Sequence, residues 1–467
     1  MRLTKIVCTL GPASSTPEMI HALSQSGMNI ARINFSHGTQ EGHRKTIHTV
    51  KEVNEKHGLS IALMLDTKGP EIRTGDVEQP IALTKGQEVV FSPTPVAGET
   101  RPVILVNYPE FAEDTKQAEQ LLLDNGTLPF EIISIEGDKV IARALDDGKI
   151  GSRRHINLPG AHVSLPSITE KDWSDLALGV EEEMDLVALS FIRTAKEVEE
   201  VAAFLRSKGS SMKIMSKIET RESVENIDAI IAASDSIMVA RGDLGAELPF
   251  QKIPAIQDMI VDKCRRAGKP VLVATQMLES MIEHPMPTRA EVTDIAHAAI
   301  TRTDATMLSG ETAMGQHPLA SVRAMHTTLE ETESHLPENA EGDACKQDER
   351  SALAHAAVSM APSVRATCIV VLTRSGKTAE AVSRLRPGIP TIACTELPAV
   401  QRSLQLCFGI QPFLIAFDND PEITAERALA LVAEAGFAKK GDNVILVTDA
   451  RITAGSARSV HVRSIPC

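Results

Sequence analysis

A lysine and a glutamate stand two residues apart in the segment Ser216-Lys217-Ile218-Glu219, which is predicted to end a buried strand. Side chains two residues apart on a strand point to the same side. Burying an ammonium beside a carboxylate is costly unless the two groups serve each other or bind an ion. Asp243, at the end of the next predicted strand, adds a second carboxylate. Two carboxylates with few other ligands suit Mg²⁺, so the pattern predicts a metal site, with a simple buried salt bridge as the alternative.

Three cations, Arg32, Arg73 and Lys217, also stand at or just beyond predicted strand ends. Arginine offers a planar fork to phosphate oxygens, and lysine offers a compact point charge. Phosphoryl transfer depends mainly on positioning and on stabilising a spread negative charge. A single arginine at a strand end is more often part of a surface ion pair. Several cations beside a two-carboxylate metal site favour phosphoryl-transfer chemistry.

Neutral and anionic oxygens follow the second and third predicted strands, on Asn34, Ser36, Asp66 and Thr67. Oxygen-rich, weakly charged ligand sets suit hard cations, so these residues are candidates for a second, monovalent ion. The alternative is that they are ordinary turn and capping residues. Thr275 ends the seventh predicted strand and could carry a proton, although threonine is also common in strands.

The elements that must position these side chains are eight short apolar segments separated by amphipathic stretches. Each segment is apolar in its middle, as expected of parallel strands that are buried on both faces. Eight strand–helix units predict a (β/α)₈ (TIM) barrel of the α/β class, whose active site lies at the carboxyl ends of the strands. The predicted strands are 5–10, 28–35, 60–66, 185–191, 212–219, 236–242, 270–276 and 305–311.

Two further domains are predicted around the barrel. Residues 70–167 are rich in proline and turn signals and contain short alternating runs at 131–135 and 139–143, which favours a small inserted β-barrel domain. A polar, turn-rich segment follows residue 336, and beyond it strands at 367–372, 390–394 and 443–448 alternate with helices. The predicted divisions are a catalytic barrel (1–69 and 168–338), a β lid (70–167) and a C-terminal α/β domain (339–467).

Bulk properties narrow the function further. The 467 residues carry a formal net charge of −14, which disfavours nucleic acid as a partner but allows a local cationic cleft for a small anion. The seven cysteines include no C-x-x-C pair, so we expect reduced thiols and a cytoplasmic protein. No apolar run is long enough to cross a bilayer, and no signal-peptide pattern opens the sequence, so no membrane is expected.

The C-terminal segment Ser375-Gly376-Lys377-Thr378 ends like a nucleotide P-loop, but the earlier glycine of that motif is Val371 here. The turn can still hold a phosphate through backbone N–H groups at the start of a helix. A plain strand-to-helix turn is the alternative. The candidate residues are Thr373, Arg374, Ser375, Gly376, Lys377 and Thr378.

Nine segments together resemble the sequences of pyruvate kinases of the short bacterial type, which have no extra C-terminal domain. They cover the predicted barrel and both edges of the insertion: KIVCTLGPAS, ARINFSHG, LDTKGPEIRTG, NLPGAHVSLPSITEKD, IMSKIETRESVENID, IMVARGDLGAELP, ATQMLESM, PTRAEVTDIA and MLSGETAMGQHPL. The resemblance implies the last step of glycolysis, in which phosphoenolpyruvate gives its phosphoryl group to ADP and leaves pyruvate and ATP. It also implies that the inserted domain is a lid over the barrel.

By this resemblance, Glu219 and Asp243 bind Mg²⁺ or Mn²⁺, Lys217 stabilises the phosphoryl group in transfer, and Arg32 contacts the substrate phosphate. Thr275 and bound water form the proton route to the enolate. The substrate is held by a set made up largely of backbone groups beside Thr275, namely Ala240, Arg241, Gly242 and Asp243.

The resemblance also implies a nucleotide side and a potassium site. Arg73, His37 and Asn34 face the nucleotide, and Arg154 of the lid adds a contact. Asn34, Ser36, Asp66 and Thr67 match the potassium ligands of the family. Glutamate rather than lysine at Glu71 accompanies potassium dependence in the family, so we expect activation by K⁺.

Two departures from the family pattern stand out. Arg153-Arg154-His155 replaces the common Lys-Lys-Gly, which weakens the assignment of Arg154, and Met314 replaces a common basic residue without an assignable consequence. The turn 373–378 and the loop 453–456 resemble a sugar-phosphate effector pocket, whose ligand could be a sugar phosphate, a nucleotide or nothing. A homotetramer is expected by analogy alone.

Two other functions remain open from the residues. A Mg²⁺-dependent barrel lyase or aldolase would use the Glu219–Asp243 pair and an arginine, but it would not need Lys217, Arg73 or a lid. The alternative is a regulatory or binding protein that kept the fold and lost catalysis, and the intact set Lys217, Glu219, Asp243 and Thr275 argues against it.

Overall fold

The computed structural model describes the chain except for residues 125, 162, 337–347, 453–454 and 467. The amino-terminal part alternates strands with helices. Its second helix begins where the Thr39 hydroxyl accepts the N–H of Gly42, and it ends at Gly58, whose φ of +61° is left-handed. The elements are β1 (Lys5–Leu10), α1 (Pro17–Ser26), β2 (Ile30–Asn34), α2 (Gln40–His57) and β3 (Ala62–Asp66).

The insertion after β3 is a separate β structure with its own apolar core. Its elements are β4 (Ile72–Arg73), β5 (Ile81–Leu83), β6 (Glu88–Ser92), β7 (Val103–Leu105), α3 (Phe111–Thr115), β8 (Leu121–Leu123), β9 (Leu128–Glu136), β10 (Lys139–Ala144), β11 (Gly148–Ile150) and β12 (His155–Asn157). Seven strands form one sheet in the order β4-β12-β8-β9-β10-β6-β7, and β11 pairs with β5. The sheet is an open half-barrel, and the β9–β10 hairpin confirms the predicted antiparallel pair.

The chain then returns to the barrel. The elements are α4 (Glu170–Glu181), β13 (Leu186–Leu189), α5 (Ala195–Ser207), β14 (Lys213–Ile218), α6 (Arg221–Glu225), α7 (Ile227–Ala233), β15 (Ser236–Ala240), α8 (Arg241–Glu247), α9 (Ile253–Ala267), β16 (Val271–Ala274), α10 (Arg289–Ile300), β17 (Ala305–Leu308), α11 (Gly310–Ala313) and α12 (Pro318–Ser334). Eight strands close in the order β1-β17-β16-β15-β14-β13-β3-β2. The predicted barrel is confirmed.

Seven of the eight barrel strands are shorter than predicted, and two of them stop within one residue of a helix. β15 ends at Ala240 because α8 begins at Arg241, and β17 ends at Leu308 because α11 begins at Gly310. Arg241, Gly242 and Asp243, which were predicted in β15, therefore lie at the start of α8. Gly310 and Glu311, which were predicted in β17, lie at the start of α11. Inside the barrel, side chains such as Val7, Met64, Met215 and Met238 form a buried apolar cluster, which makes the strands a rigid support for the residues at their ends.

The C-terminal domain has a five-stranded sheet in the order β20-β19-β18-β21-β22, with β22 antiparallel to β21. The three predicted strands are confirmed. The edge strands β20 and β22 were not predicted. β20 contains Pro412, and β22 is largely polar, so neither has the sequence pattern of a buried strand. The elements are α13 (Glu349–Ser363), β18 (Ile369–Leu372), α14 (Lys377–Arg384), β19 (Thr391–Thr395), α15 (Pro398–Ser403), β20 (Ile410–Leu414), α16 (Pro421–Glu434), β21 (Asn443–Ile452) and β22 (Gly455–Ser464).

This domain packs against the amino-terminal end of the barrel. Both guanidinium Nη atoms of Arg386 contact the Asp304 carboxylate, which also accepts the N–H groups of Val271 and Phe408. Lys5, at the start of β1, donates to the carbonyl oxygen of Ile410. In the described part of the chain, no helix is long and apolar enough to cross a membrane. The predicted domain boundaries stay a prediction.

Candidate active site at the carboxyl ends of the barrel strands

Lys217 lies at the centre of the predicted site, near the end of β14. Its Nζ atom lies 3.0 Å from Asp66 Oδ1, 3.0 Å from Glu219 Oε1 and 2.8 Å from Ser190 Oγ. Burial favours the neutral amine, but the carboxylates of Asp66 and Glu219 outweigh it and raise the pKa of Lys217. The side chain is therefore a permanent buried cation at the barrel mouth.

Asp66, at the end of β3, joins this lysine to Arg32 of β2. Arg32 donates through Nε to Asp66 Oδ2 at 2.6 Å and through Nη1 to Thr9 Oγ1 at 2.8 Å. Burial works against ionisation of Asp66, but Arg32 and Lys217 outweigh it and lower the pKa of the carboxyl group. One ionised carboxylate thus fixes two cations side by side, as a charge-stabilising site for phosphate requires.

Glu219 has one oxygen engaged and one open. Oε2 accepts the N–H of Phe191 at 2.7 Å. Oε1 lies 3.0 Å from Lys217 Nζ, yet it is buried and accepts no hydrogen bond from a described residue. The short contact is therefore an ion pair of poor hydrogen-bond geometry. Burial raises the pKa of Glu219 to about 7, Lys217 opposes this rise and the charge of Asp243 adds to it.

These features fit a divalent cation. The three carboxylates Asp66, Glu219 and Asp243 outnumber the two cations Arg32 and Lys217 at this point, so a further positive ion is electrostatically favoured. Among the described residues, no three His, Cys, Asp or Glu side chains are grouped to hold a metal. Two carboxylates that leave other positions to water and to substrate oxygens suit Mg²⁺.

Thr275, just after β16, has a left-handed φ of +67°, which a β-branched residue rarely adopts. Its hydroxyl accepts the N–H of Gly242 at 2.8 Å and donates to the carbonyl oxygen of Ala274. The side chain of Arg241 donates to the Thr275 carbonyl at 2.6 Å and to Asp294 Oδ1 at 2.7 Å. The start of α8, from Ala240 to Asp243, is thereby fixed against the end of β16.

The four predicted potassium ligands lie on two adjacent strand ends. The strand register pairs Asn34 with Asp66, and the N–H of Phe35 bonds to the carbonyl oxygen of Asp66. Asn34 Oδ1 accepts the N–H of Ser36 at 3.1 Å, and the Thr67 carbonyl accepts the Ser190 hydroxyl at 2.6 Å. The register places the ends of β2 and β3 side by side, and the residues there also have ordinary turn or strand contacts.

The predicted nucleotide contacts lie further out. Arg73 donates through Nε and Nη2 to the two oxygens of Glu71, each at 2.7 Å, and through Nη1 to the carbonyl oxygen of Arg153. Arg154 Nη1 lies 3.5 Å from Asp124 within the lid. His37 is exposed after β2. Among the described contacts, none joins these three residues to Lys217.

The predicted effector turn is far from this site, between β18 and α14. Thr373 Oγ1 accepts the N–H of Gly376 at 3.0 Å, so one backbone donor of the cradle is already engaged. Arg374 Nε lies 3.1 Å from Glu396, while Ser375 and Lys377 are exposed and Thr378 is buried. In the companion loop 453–456, residues 453 and 454 lie outside the described residues.

Four residues of the site were missing from the prediction: Thr9, Ser190, Phe191 and Asp294. Ser190 directly follows β13, so its position at a strand end was the available signal. Asp294 lies inside α10, and Thr9 inside β1, where ordinary surface or strand roles are the default reading of polar residues. Phe191 acts through its backbone N–H, which side-chain type does not reveal.

Comparisons with known proteins agree with this architecture. The family description "Pyruvate kinase, barrel domain" matches residues 1–322, and "Pyruvate kinase, alpha/beta domain" matches residues 351–462. Plastidial pyruvate kinase 2 of Arabidopsis thaliana is 44% identical over 467 residues, covering 98% of this chain and 80% of the relative. Pyruvate kinase of Clostridium acetobutylicum is 40% identical over 456 residues, covering 96% of each.

A solved structure of a pyruvate kinase from Cryptosporidium parvum superposes with a TM-score of 0.91 at 35% identity, covering 100% of this chain and 96% of that one. At this identity and coverage, both the fold and the family are shared over the full length. The chain therefore belongs to the pyruvate kinase family.

Proposed function

We propose that the barrel mouth transfers the phosphoryl group of phosphoenolpyruvate to ADP, giving ATP and pyruvate as the last step of glycolysis. The observation that carries this proposal is the position of Lys217 Nζ, held 3.0 Å from both Asp66 and Glu219 and close to Arg32 through their shared Asp66. A fixed pair of cations beside an open carboxylate oxygen is suited to a migrating phosphoryl group.

Glu219 and Asp243 hold Mg²⁺ or Mn²⁺ in this proposal. When bound, the divalent ion supplies positive charge to the substrate oxygens and to the transferred group. Lys217 and Arg32 contact the phosphoryl oxygens as an oxygen of the ADP β-phosphate attacks phosphorus and the bond to the enol oxygen breaks. Because both cations are fixed by Asp66 before substrate binds, little reorganisation is needed in the transition state.

The second half of the reaction is protonation of the enolate carbon. We assign the proton route to the Thr275 hydroxyl and ordered water, and the binding of the substrate carboxylate to the backbone of Ala240, Arg241 and Gly242 beside Asp243. The support is the contact between Thr275 Oγ1 and the N–H of Gly242. It fixes the hydroxyl against the helix start whose N–H groups favour an anion.

K⁺ activation and nucleotide binding are parts of the same proposal. Asn34, Ser36, Asp66 and Thr67 hold K⁺, and Arg73, His37, Asn34 and Arg154 contact the nucleotide. The adjacency of Asn34 and Asp66 across the strand register supports the first set. The second set is supported by the pairing of two lid strands, which brings Arg73 next to His155 and thus close to Arg154.

Three further proposals concern the whole protein. A sugar-phosphate or nucleotide effector binds the turn 373–378, the chain assembles as a homotetramer, and the enzyme works in the cytoplasm. The exposed Ser375 and Lys377 support the first, and the free thiols of the described cysteines (Cys8, Cys264, Cys368, Cys394 and Cys407) support the third.

A lactate-dehydrogenase-coupled assay of pyruvate formation tests the proposal. Activity should require ADP, phosphoenolpyruvate and Mg²⁺, and it should rise on adding K⁺ to K⁺-free buffer. ADP-independent pyruvate formation from another substrate would instead indicate a lyase. Equal activity with and without K⁺ would refute the proposed potassium site, but it would not affect the proposal of phosphoryl transfer.

A further inference from the structure

A cleft at the floor of the barrel, opposite the candidate active site, lies between the barrel and the C-terminal domain. Its empty volume is about 730 Å³, including the part open to solvent. Residues at or next to the amino-terminal ends of five neighbouring strands, β13 to β17, line one side, and the ends of α9 and α14 line another.

Four polar atoms around this cleft have no hydrogen-bond partner among the described residues. They are Nε of Arg265, Nε of Arg384, Nε of Arg386 and Oγ of Ser236, each buried. Arg386 and Ser236 are only 4% and 1% exposed. An unsatisfied buried donor costs free energy, so a small side-chain rearrangement that brings these donors to an acceptor in the cleft would be favoured.

The charge of the cleft indicates that its ligand would be an anion. Its lining holds five cations and three carboxylates, in a chain whose net charge is −14. Asp304 is taken by Arg386, and Asp235 lies 3.7 Å from Lys213. Neither Arg265 nor Arg384 forms an ion pair or a hydrogen bond through its side chain with any described residue. Apart from these two pairs, the lining has three cations, Arg265, Lys269 and Arg384, and one carboxylate, Glu380. The cleft therefore has an excess of positive charge.

One of the two arginines, Arg384, is also packed closely against its surroundings before any ligand binds. Arg384 crosses the end of α9 so closely that a Cβ on Gly268 would lie 2.6 Å from its Cδ. Arg265 is in the last turn of the same helix. Guanidinium groups that are fixed by packing lose little entropy on binding an oxyanion, and their fork matches phosphate oxygens.

We infer that this cleft is a binding site for a small phosphate-bearing molecule, separate from both the active site and the turn 373–378. Arg265 and Arg384 contribute charged donors from opposite sides of the domain boundary, with the Arg386 Nε–H and the Ser236 hydroxyl as further donors. The apolar side chains of Leu186 and Leu406 leave room for the rest of the molecule.

The test is a titration of the intact protein with inorganic phosphate, by calorimetry in a phosphate- and sulfate-free buffer at constant ionic strength. Arg265→Gln and Arg384→Gln should each weaken phosphate binding by about tenfold, the loss expected for one charged hydrogen bond. Arg266→Gln is the matched control, because its exposed neighbouring side chain pairs with Asp262 at 2.9 Å outside the cleft.

Lys377→Gln separates this cleft from the C-terminal turn, and melting temperatures without phosphate verify folding. If one cleft variant unfolds, the other carries the test. Loss of binding in Lys377→Gln alone, equal binding by all the variants, or no binding by the parent chain would each overturn the inference. In the last case water satisfies the four donors.

Discussion

The guanidinium group of Arg241 donates to the main-chain oxygen of Thr275 at 2.6 Å, and Thr275 has a φ of +67°. A β-branched residue in this left-handed conformation is strained by about 1–3 kcal/mol and persists only where neighbours enforce it. Arg241 is such a neighbour, since it is itself held by Asp294. The Thr275 hydroxyl at the proposed proton route is thus fixed by residues on two other elements.

Asp294→Asn should lower kcat by about tenfold. The weaker contact to Arg241 leaves Thr275 less well positioned, which should raise the activation free energy by about 1.4 kcal/mol. The KM for phosphoenolpyruvate should change less. Steady-state kinetics with both substrates varied would show the split. Asp258→Asn is the control, since that carboxylate pairs only with His297 in the described structure at 2.8 Å. Equal kcat in parent and Asp294→Asn chains would remove the positioning role.

Lys217→Met should reduce turnover by about 10²–10³-fold, the usual loss of a charge-stabilising donor. It should also lower the melting temperature, because Asp66 and Glu219 lose the cation they share. The coupled assay and a thermal melt measure both effects. Lys263→Met, which removes an exposed contact to Asp228, serves as the comparison. Turnover near the parent value would refute the role of Lys217.

Ser190→Ala should lower kcat by about tenfold, since one hydrogen bond to a charged group contributes roughly 1.5–3 kcal/mol. The lost contacts are those to Lys217 Nζ at 2.8 Å and to the Thr67 carbonyl at 2.6 Å. Ser207→Ala, at an exposed helix end, is the matched change. Because Ser190 lies between the phosphoryl and potassium positions, the K⁺ concentration for half-activation should rise too. If Ser190→Ala has the kcat and the K⁺ dependence of the parent chain, the proposed role of Ser190 is wrong.

Arg386→Leu should destabilise the folded chain by about 3–5 kcal/mol, because Asp304 would remain as an uncompensated buried charge. Both side chains are almost completely buried, at 5% and 2% exposed. Urea unfolding followed by fluorescence and by activity would measure the change. Arg374→Leu breaks an exposed pair with Glu396 in the same domain and should have a far smaller effect. Similar losses from both substitutions would argue against the buried pair as the main link between domains.

Lys5→Met should raise the free energy of unfolding at pH 7 and should remove the contribution of this residue to the rise of stability with pH between 7 and 10. Burial, followed by the charge of Arg2, lowers the pKa of Lys5 from 10.5 to about 7, while Cys407 and Glu333 oppose this shift. Between these values the unfolded chain binds more protons than the folded one. Stability contributed at this position therefore rises with pH across the window, and below about pH 7 the full cost is present.

The size of that cost is on the order of 5 kcal/mol as an upper bound, from the difference between the two pKa values. Denaturant unfolding at several pH values would measure it. Lys45→Met, on the exposed side of α2, is the control and should leave the slope unchanged. A parent-like slope in Lys5→Met would mean that the buried amine does not titrate in this window.

The barrel could be predicted because its strands are apolar throughout and regularly spaced, so each local segment already specifies its burial. The predicted pair Lys217 and Glu219 lies together because alternation along one strand is a local property. Strands β20 and β22 could not be predicted, since Pro412 and a polar sequence are tolerated only at sheet edges.

The sequence by itself determined which side chains stand at the ends of the eight strands, and hence the chemistry available at the barrel mouth. Only the tertiary structure decided which of them share a partner. Asp66 joins Arg32 to Lys217, Arg241 fixes Thr275, and Arg265 and Arg384 meet at the floor cleft. Contacts of this kind depend on barrel closure and domain packing, which place residues distant in the chain within a few ångströms and which no local pattern encodes.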